Sequence, residues 1–368
     1  MKITAVDVFE YQLQYAHGAY VMSHGRSQTH EPSLVVRLTG EDGTVGWGET
    51  CPHGSTYLPA FFEGEREALK LLGPAIIGLD ATEPAIVHAA MSGTLLGGMA
   101  AKSAIDVACW DLFGKTTGLS MTTLLGGRVR EEFRIFVPVA LDTPARMRDY
   151  VSAERAKGTI DFQLKVGNDP YEDAARVAAV MDVVDDTCTV IADANGGWNV
   201  QQALQAAHEL RDFRLYLEQP CLSLSDCAEV RRRSDLPLIV DECVTTVDDL
   251  IRAKTEAHAG GVNIKPGRVG GPSAAIKLRD TAAALGMMVT IDETWGGALV
   301  TATLSHLAAS TPANALLTTS FFSEWTTPDI ATPPKKDARG LGQSPTGPGL
   351  GVDVDAALLR QPVFSTRR

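Results

Sequence analysis

The feature that most narrows the fold is a recurrence in the second two-thirds of the chain. From about Phe133 onward, short strand-like runs alternate with longer segments rich in Ala, Leu and charged residues at three-to-four spacing. The runs read FRIFVPVA, FQLKVG, TVIADANG, RLYLEQP, PLIVDE, GVNIKPG, MMVTIDET and ALLTTSF, and between them lie helical stretches such as DPYEDAARVAAVMDVV and PSAAIKLRDTAAALG. Strands separated by helices pair in parallel, because the crossover returns each strand to the same end of the sheet. Eight such units match a (β/α)8 barrel better than an open doubly wound sheet, which would also carry a glycine-rich phosphate loop near its start. None is present.

The first 130 or so residues follow another pattern. Strand-like KITAVDVFEYQLQ, PSLVVRLTG and TVGWGET precede three helical stretches ending near AIDVACWDLFGK, so an α+β domain is expected over residues 1–127. The barrel is then expected over 128–340. The segment LGQSPTGPGLGVDVD is dense in Gly and Pro, and residues 341–368 are expected to leave the barrel and run back to the first domain.

In a parallel barrel the C-terminal strand ends converge on one mouth, so polar residues there face one another however far apart they are in sequence. Strand 2 ends in Lys165, strand 3 in Asp193 with Asn195, strand 4 in Glu218, strand 5 in Asp241 with Glu242, strand 6 in Lys265, and strand 7 in Asp292 with Glu293. Asp193, Glu218 and Asp241 on adjacent strands would repel one another in a semi-enclosed mouth. A strand-end Asp can instead cap the following helix, but three carboxylates in succession at one interval call for a cation. Oxygen-only ligands favour a hard divalent ion, Mg²⁺ being the natural choice. Lys165 and Lys265 stand four strands apart and flank the mouth. Burial and neighbouring cations can bring a lysine from about 10.4 to roughly 7 to 8, within reach of acid–base work. Gln163 should point to the same face as Lys165, as a substrate contact or a plain hydrogen-bonding partner.

Composition excludes several function classes. The formal charge of −12 comes with no basic block, so neither nucleic acid nor an anionic membrane surface is an expected partner. MKITAVDVFEYQ alternates like a strand where a secretory signal would need a continuous apolar stretch, and the expected compartment is the cytoplasm. Six scattered cysteines without a CxxC pair read as reduced thiols filling core space.

These motifs together resemble the enolase superfamily, in its muconate lactonizing enzyme and mandelate racemase branches. The resemblance rests on GWGE (Gly46 to Glu49), AIDVACWDLFGK (Ala104 to Lys115), DANGGW (Asp193 to Trp198), LEQP (Leu217 to Pro220), Asp241–Glu242 and NIKPGRVGG (Asn263 to Gly271). It implies a cap domain over the barrel, one Mg²⁺ per subunit on Asp193, Glu218 and Asp241, and removal of a proton α to a carboxylate through an enediolate. It also implies a homo-oligomer acting on a small molecule. Two departures stand out: Gln163 replaces the first lysine of the Lys-x-Lys pair common in the family, and DETWGG after strand 7 lacks the histidine of the mandelate-type subgroups.

Tyr57, Trp295 and Trp325 fall where an aromatic cage could meet a cationic ring nitrogen, with HGAYVMSHGR (His17 to Arg26) as a lid. With Asn195 and Asp292 they complete the expected substrate contacts. The pattern is similar to superfamily members acting on proline derivatives. It implies dehydration of cis-3-hydroxy-L-proline to Δ1-pyrroline-2-carboxylate, with epimerisation at C2 of a proline betaine, a hydroxyproline betaine or a dipeptide as the alternative. Elimination from the cis isomer is anti, which suits lysines on facing strands; which of them is the base stays open.

Overall fold

The structure is a computed structural model that describes residues 1–368 apart from residue 55. The chain starts with a long strand β1 (Ile3–Tyr15), which pairs antiparallel with β2 (His30–Gly40), itself paired with β3 (Val45–Thr50). Three helices follow, α1 (Phe62–Ile76), α2 (Pro84–Thr94) and α3 (Met99–Thr117). One face of the sheet, with Val6, Val8, Leu34, Val36 and Leu38, is buried against Leu69, Leu72 and Ile76 of α1 and Ile105, Ala108 and Leu112 of α3. The glycines of GWGE have a packing reason: a Cβ on Gly46 or Gly48 would run into the α3 carbonyls of Ala108 or Ala104.

The eight strand-like runs all form strands: β4 (Phe133–Val139), β5 (Asp161–Lys165), β6 (Thr189–Asp193), β7 (Tyr216–Glu218), β8 (Leu238–Val240), β9 (Gly261–Ile264), β10 (Met288–Ile291) and β11 (Leu316–Ser320). They pair in parallel in sequence order, and Thr319 of β11 against Ile135 of β4 closes the barrel. After β11 the chain touches both layers. Thr326–Thr327 pairs with the end of β1, Leu341–Gly342 with the start of β4, and Phe364–Arg367 with Ala5 to Val8 of β1. All six cysteines are free, and among the described residues no helix is long and apolar enough to cross a membrane.

Helix starts divide into two sets. The helices after β4 to β8 are capped by their own Thr143, Asp169, Asn199, Ser223 and Thr246, each accepting from a backbone N–H of the first turn. The helices Pro272–Ala284 and Ala298–Ser310 start after Gly271 and Gly297, which have no side chain to offer. Their acceptors come from the first domain. Asp106 of α3 takes the Ser273 N–H at 2.7 Å and its hydroxyl at 2.7 Å. Glu49 of β3 takes the N–H of Gly297 at 3.0 Å and of Val300 at 3.3 Å, and also accepts from Ser33 and Tyr11. Carboxylates suit both places, since a helix start carries partial positive charge.

A buried histidine ties three more segments. His306 Nδ1 accepts from the backbone N–H of Thr122 at 3.2 Å, while Nε2–H donates to Leu350 O at 3.0 Å, which fixes the neutral ring. Burial, with a contribution from Arg128, pushes its pKa down from 6.5 to about 4.

Two expectations follow. A histidine whose folded pKa is depressed contributes stability above pH 6.5 that is lost as pH falls toward 4, up to about 3 kcal/mol here. Urea titrations of His306→Gln at pH 7 and pH 4.5 should show a smaller difference between the two pH values than the wild-type protein. Glu49→Ala leaves one barrel helix without its cap and should lower stability by about 1 to 2 kcal/mol in the same assay.

Candidate active site

Strand register places the polar ends side by side. Lys165 pairs with Asp193 and Asp193 with Glu218 across β5, β6 and β7, while Ile264 against Ile291 brings Lys265 beside Asp292. All of these side chains are buried. Burial of so much charge demands that each group find a partner.

Most of the partners come from within the cluster. Lys165 Nζ donates to Asp193 Oδ2 at 2.5 Å, and the Asn195 N–H donates to Asp193 Oδ1 at 2.9 Å. Lys265 Nζ donates to Asp241 Oδ2 at 2.5 Å and stands 3.2 Å from Asp292 Oδ2. Arg268 pairs with Asp241 Oδ1, and its other nitrogen donates to Asn263 O at 2.6 Å. Glu218, in the middle, receives amides from both sides, Gln163 Nε2 at 2.9 Å and Asn263 Nδ2 at 2.7 Å. Beneath them Gln219, at a positive φ of 35°, accepts the Asp241 N–H at 2.7 Å and donates to Cys221 O at 2.8 Å, locking the ends of β7 and β8 together.

Electrostatics follow from this crowding. Burial, then Asp193 and Asp241, push Glu218 well above the usual carboxylate range. Burial also acts to raise Asp241, but Arg268 and Lys265 outweigh it and hold that carboxyl low. Burial alone would lower both lysines. Carboxylates override it, chiefly Asp193 for Lys165 and Asp241 with Asp292 for Lys265, so both amines stand well above the ordinary lysine value. The charges nearest each amine are negative, and they set this direction.

Among the described residues no three His, Cys, Asp or Glu side chains stand in ligand geometry, each carboxylate being turned onto a cation or an amide. The donor set nevertheless fits a hard divalent ion, being oxygen-only, carried on three adjacent strands, and crowded enough to raise Glu218.

A cavity of about 20 Å³, room for roughly one water, lies over the lysines and is lined by Tyr20, His53, Tyr57, Gln163, Lys165, Lys265, Asp292 and Trp295 among others. The stretch His17 to Arg26 folds over it: Tyr20–Val21 pairs with Ser27–Gln28, and Val21 O accepts from Leu141 N–H at 2.9 Å. Tyr57 OH stands 3.5 Å from Asp241 Oδ2, and Asp292 accepts from Ser320 at 2.6 Å. Asn195 turns away to donate to Glu242 Oε1 at 2.9 Å.

The three expected cage aromatics are not brought together. Trp325 lines a neighbouring cavity of about 340 Å³ with His17, Tyr20 and Tyr150, because the chain leaves the barrel immediately after β11 to pair with β1. Trp295 lines the lysine cavity but is packed among other rings. Tyr20, which lines both cavities, was missed, as were His53, Asn263 and Arg268. Asn263 was legible by the rule that exposed Gln163: it stands two residues before Lys265 on the same strand face. Tyr20 sits in a two-residue strand, too short for a periodicity to mark it.

With this geometry in hand, comparison with known proteins is informative. Residues 146–358 match the family described as enolase C-terminal domain-like, and residues 5–126 match the mandelate racemase/muconate lactonizing enzyme N-terminal domain. The chain is 36% identical to a cis-3-hydroxy-L-proline dehydratase from Roseibium aggregatum over 99% of both chains. It is 29% identical to an N-succinyl-L-Arg/Lys racemase from Bacillus cereus over 84% of this chain and 85% of that one. A mandelate racemase/muconate lactonizing enzyme from Roseovarius nubinhibens ISM, solved in complex with magnesium, superposes with a TM-score of 0.96 at 34% identity over 100% of both chains. A closed parallel barrel under an antiparallel-sheet domain, matched at both ends of the sequence, makes this chain an enzyme of the mandelate racemase/muconate lactonizing enzyme family of the enolase superfamily.

Proposed function

We propose that the protein dehydrates cis-3-hydroxy-L-proline to Δ1-pyrroline-2-carboxylate, with Lys165 and Lys265 as the acid–base pair and Mg²⁺ held by Asp193, Glu218 and Asp241. The observation that carries this reading is the placement of two buried amines, on β5 and β9, in one cavity with three carboxylates on the strands between. The full-length similarity to a cis-3-hydroxy-L-proline dehydratase supports the choice of substrate. The magnesium in a structural neighbour supports the choice of ion.

When bound, a divalent ion supplies an electrophile for a substrate carboxylate that gains charge as its α-proton leaves. The rest falls to the chain. One lysine, released from its carboxylate partner and in the amine form, takes the α-proton from one face of the ring; the other, as ammonium, gives its proton to the hydroxyl departing from the opposite face. Gln163 and Asn263 orient Glu218, Arg268 fixes Asp241, and the closed stretch around Tyr20 excludes bulk water. The enamine released by loss of water tautomerises to the cyclic imine.

Epimerisation at C2 is the second reading, favoured by the similarity to an N-succinyl-L-Arg/Lys racemase and to a hydrophobic dipeptide epimerase from Enterococcus faecalis at 30% identity. The same two amines would remove a proton from one face and return one to the other.

Incubation in D2O with Mg²⁺ separates the two. The dehydratase reading expects imine from cis-3-hydroxy-L-proline and a far slower reaction of the trans isomer, whereas inversion with deuterium at C2 and no water loss supports the epimerase. Lys165→Met and Lys265→Met should each reduce turnover by about 10²-fold or more. Mg²⁺ should raise the thermal midpoint of the wild-type protein, and Asp193→Ala should abolish that rise; an unchanged response would remove these carboxylates from the ion's site.

A further inference from the structure

Trp295 is 2% exposed and lines the lysine cavity, yet its indole Nε1–H has no hydrogen-bond partner among the described residues. Two other buried indoles in the chain are satisfied: Trp110 donates to Ser273 Oγ at 3.0 Å and Trp198 to Asn168 O at 3.0 Å. An orphaned buried donor is unfavourable enough that native structures rarely keep one without a use. The ring itself is occupied. Tyr15, Tyr20 and Phe322 pack on it with centroids at 4.7, 4.9 and 4.8 Å, and His53 stacks at 5.7 Å with 27° between planes. A substrate cation therefore has no free face of Trp295 to meet, and what the residue offers is its N–H.

We infer that Trp295 Nε1–H donates to the C3 hydroxyl oxygen of the substrate as the C3–O bond breaks, an inference that rests on the dehydratase reading above. The ligand's own chemistry selects the atom. A substrate carboxylate facing Asp193, Glu218 and Asp241 through the ion lies toward β6 to β8, whereas Trp295 follows β10, beside the strand of Lys265. The protonated ring nitrogen has only donors. Outside the carboxylate, the hydroxyl oxygen is the one acceptor on the ring. In the step itself the α-proton passes to one lysine amine, the C–H pair becomes the C2–C3 π bond, the C3–O pair leaves with oxygen, and the ammonium of the other lysine supplies the proton that completes water. The indole keeps its proton throughout and stabilises negative charge developing on oxygen. Trp295 is thereby a specificity residue for hydroxylated over unsubstituted rings.

The test compares two reactions of one enzyme: dehydration of cis-3-hydroxy-L-proline, and α-hydrogen exchange of L-proline in D2O, which needs the lysines but has no hydroxyl. Trp295→Phe with Mg²⁺ should lower the ratio of dehydration to exchange by about tenfold or more. A parallel fall in both rates, as loss of packing alone would give, or an unchanged ratio, overturns the inference. Wild-type protein that performs neither reaction would instead sink the proposed function. Should the phenylalanine variant fail to fold, the ¹⁵N-indole spectrum of Lys165→Met serves: of the five tryptophan signals, one should shift downfield with cis-3-hydroxy-L-proline and not with L-proline. Equal responses to both ligands would overturn it.

Discussion

The arrangement of the site follows from one electrostatic constraint: a parallel barrel delivers Asp193, Glu218 and Asp241 to neighbouring positions in a place water barely reaches. Carboxylates so placed cannot all be ionised without positive charge among them. Several neighbouring groups answer that demand, two lysines and an arginine as cations, Gln163 and Asn263 as amides on either side of Glu218. The arrangement is nearly symmetrical about β7. Each lysine is preceded two residues earlier by an amide that reaches the same central carboxylate, and this symmetry suits chemistry that works on both faces of one carbon.

The first domain supplies what the barrel lacks. Barrel strand ends are charged, while the roof of the cavity is aromatic and comes from Tyr20, His53 and Tyr57, with Trp295 and Phe322 rising from the barrel to meet it. Charge below and rings above give the cavity two distinct ends.

Much of this was legible in the sequence because it obeys periodic rules. Eight strands and the Lys165, Asp193, Glu218, Asp241, Lys265, Asp292 series are set by one βα interval, so position along the chain predicts position around the mouth. The roof has no such period. Tyr20 lies in a two-residue strand and His53 in a loop, both with courses decided by tertiary packing, and Trp325 lies at the neighbouring cavity because the strand pairing that carries it there, Tyr15 with Thr326, is non-local.

The capping of two barrel helices by Glu49 and Asp106 has a consequence for how such a chain can change over evolutionary time. These helices follow the strands that lead into Lys265 and Asp292, so the domain that roofs the pocket also finishes the secondary structure behind the charged floor. Lid and floor are therefore not interchangeable modules. A graft of one relative's roof onto another's barrel inherits uncapped helices unless both acids travel with it.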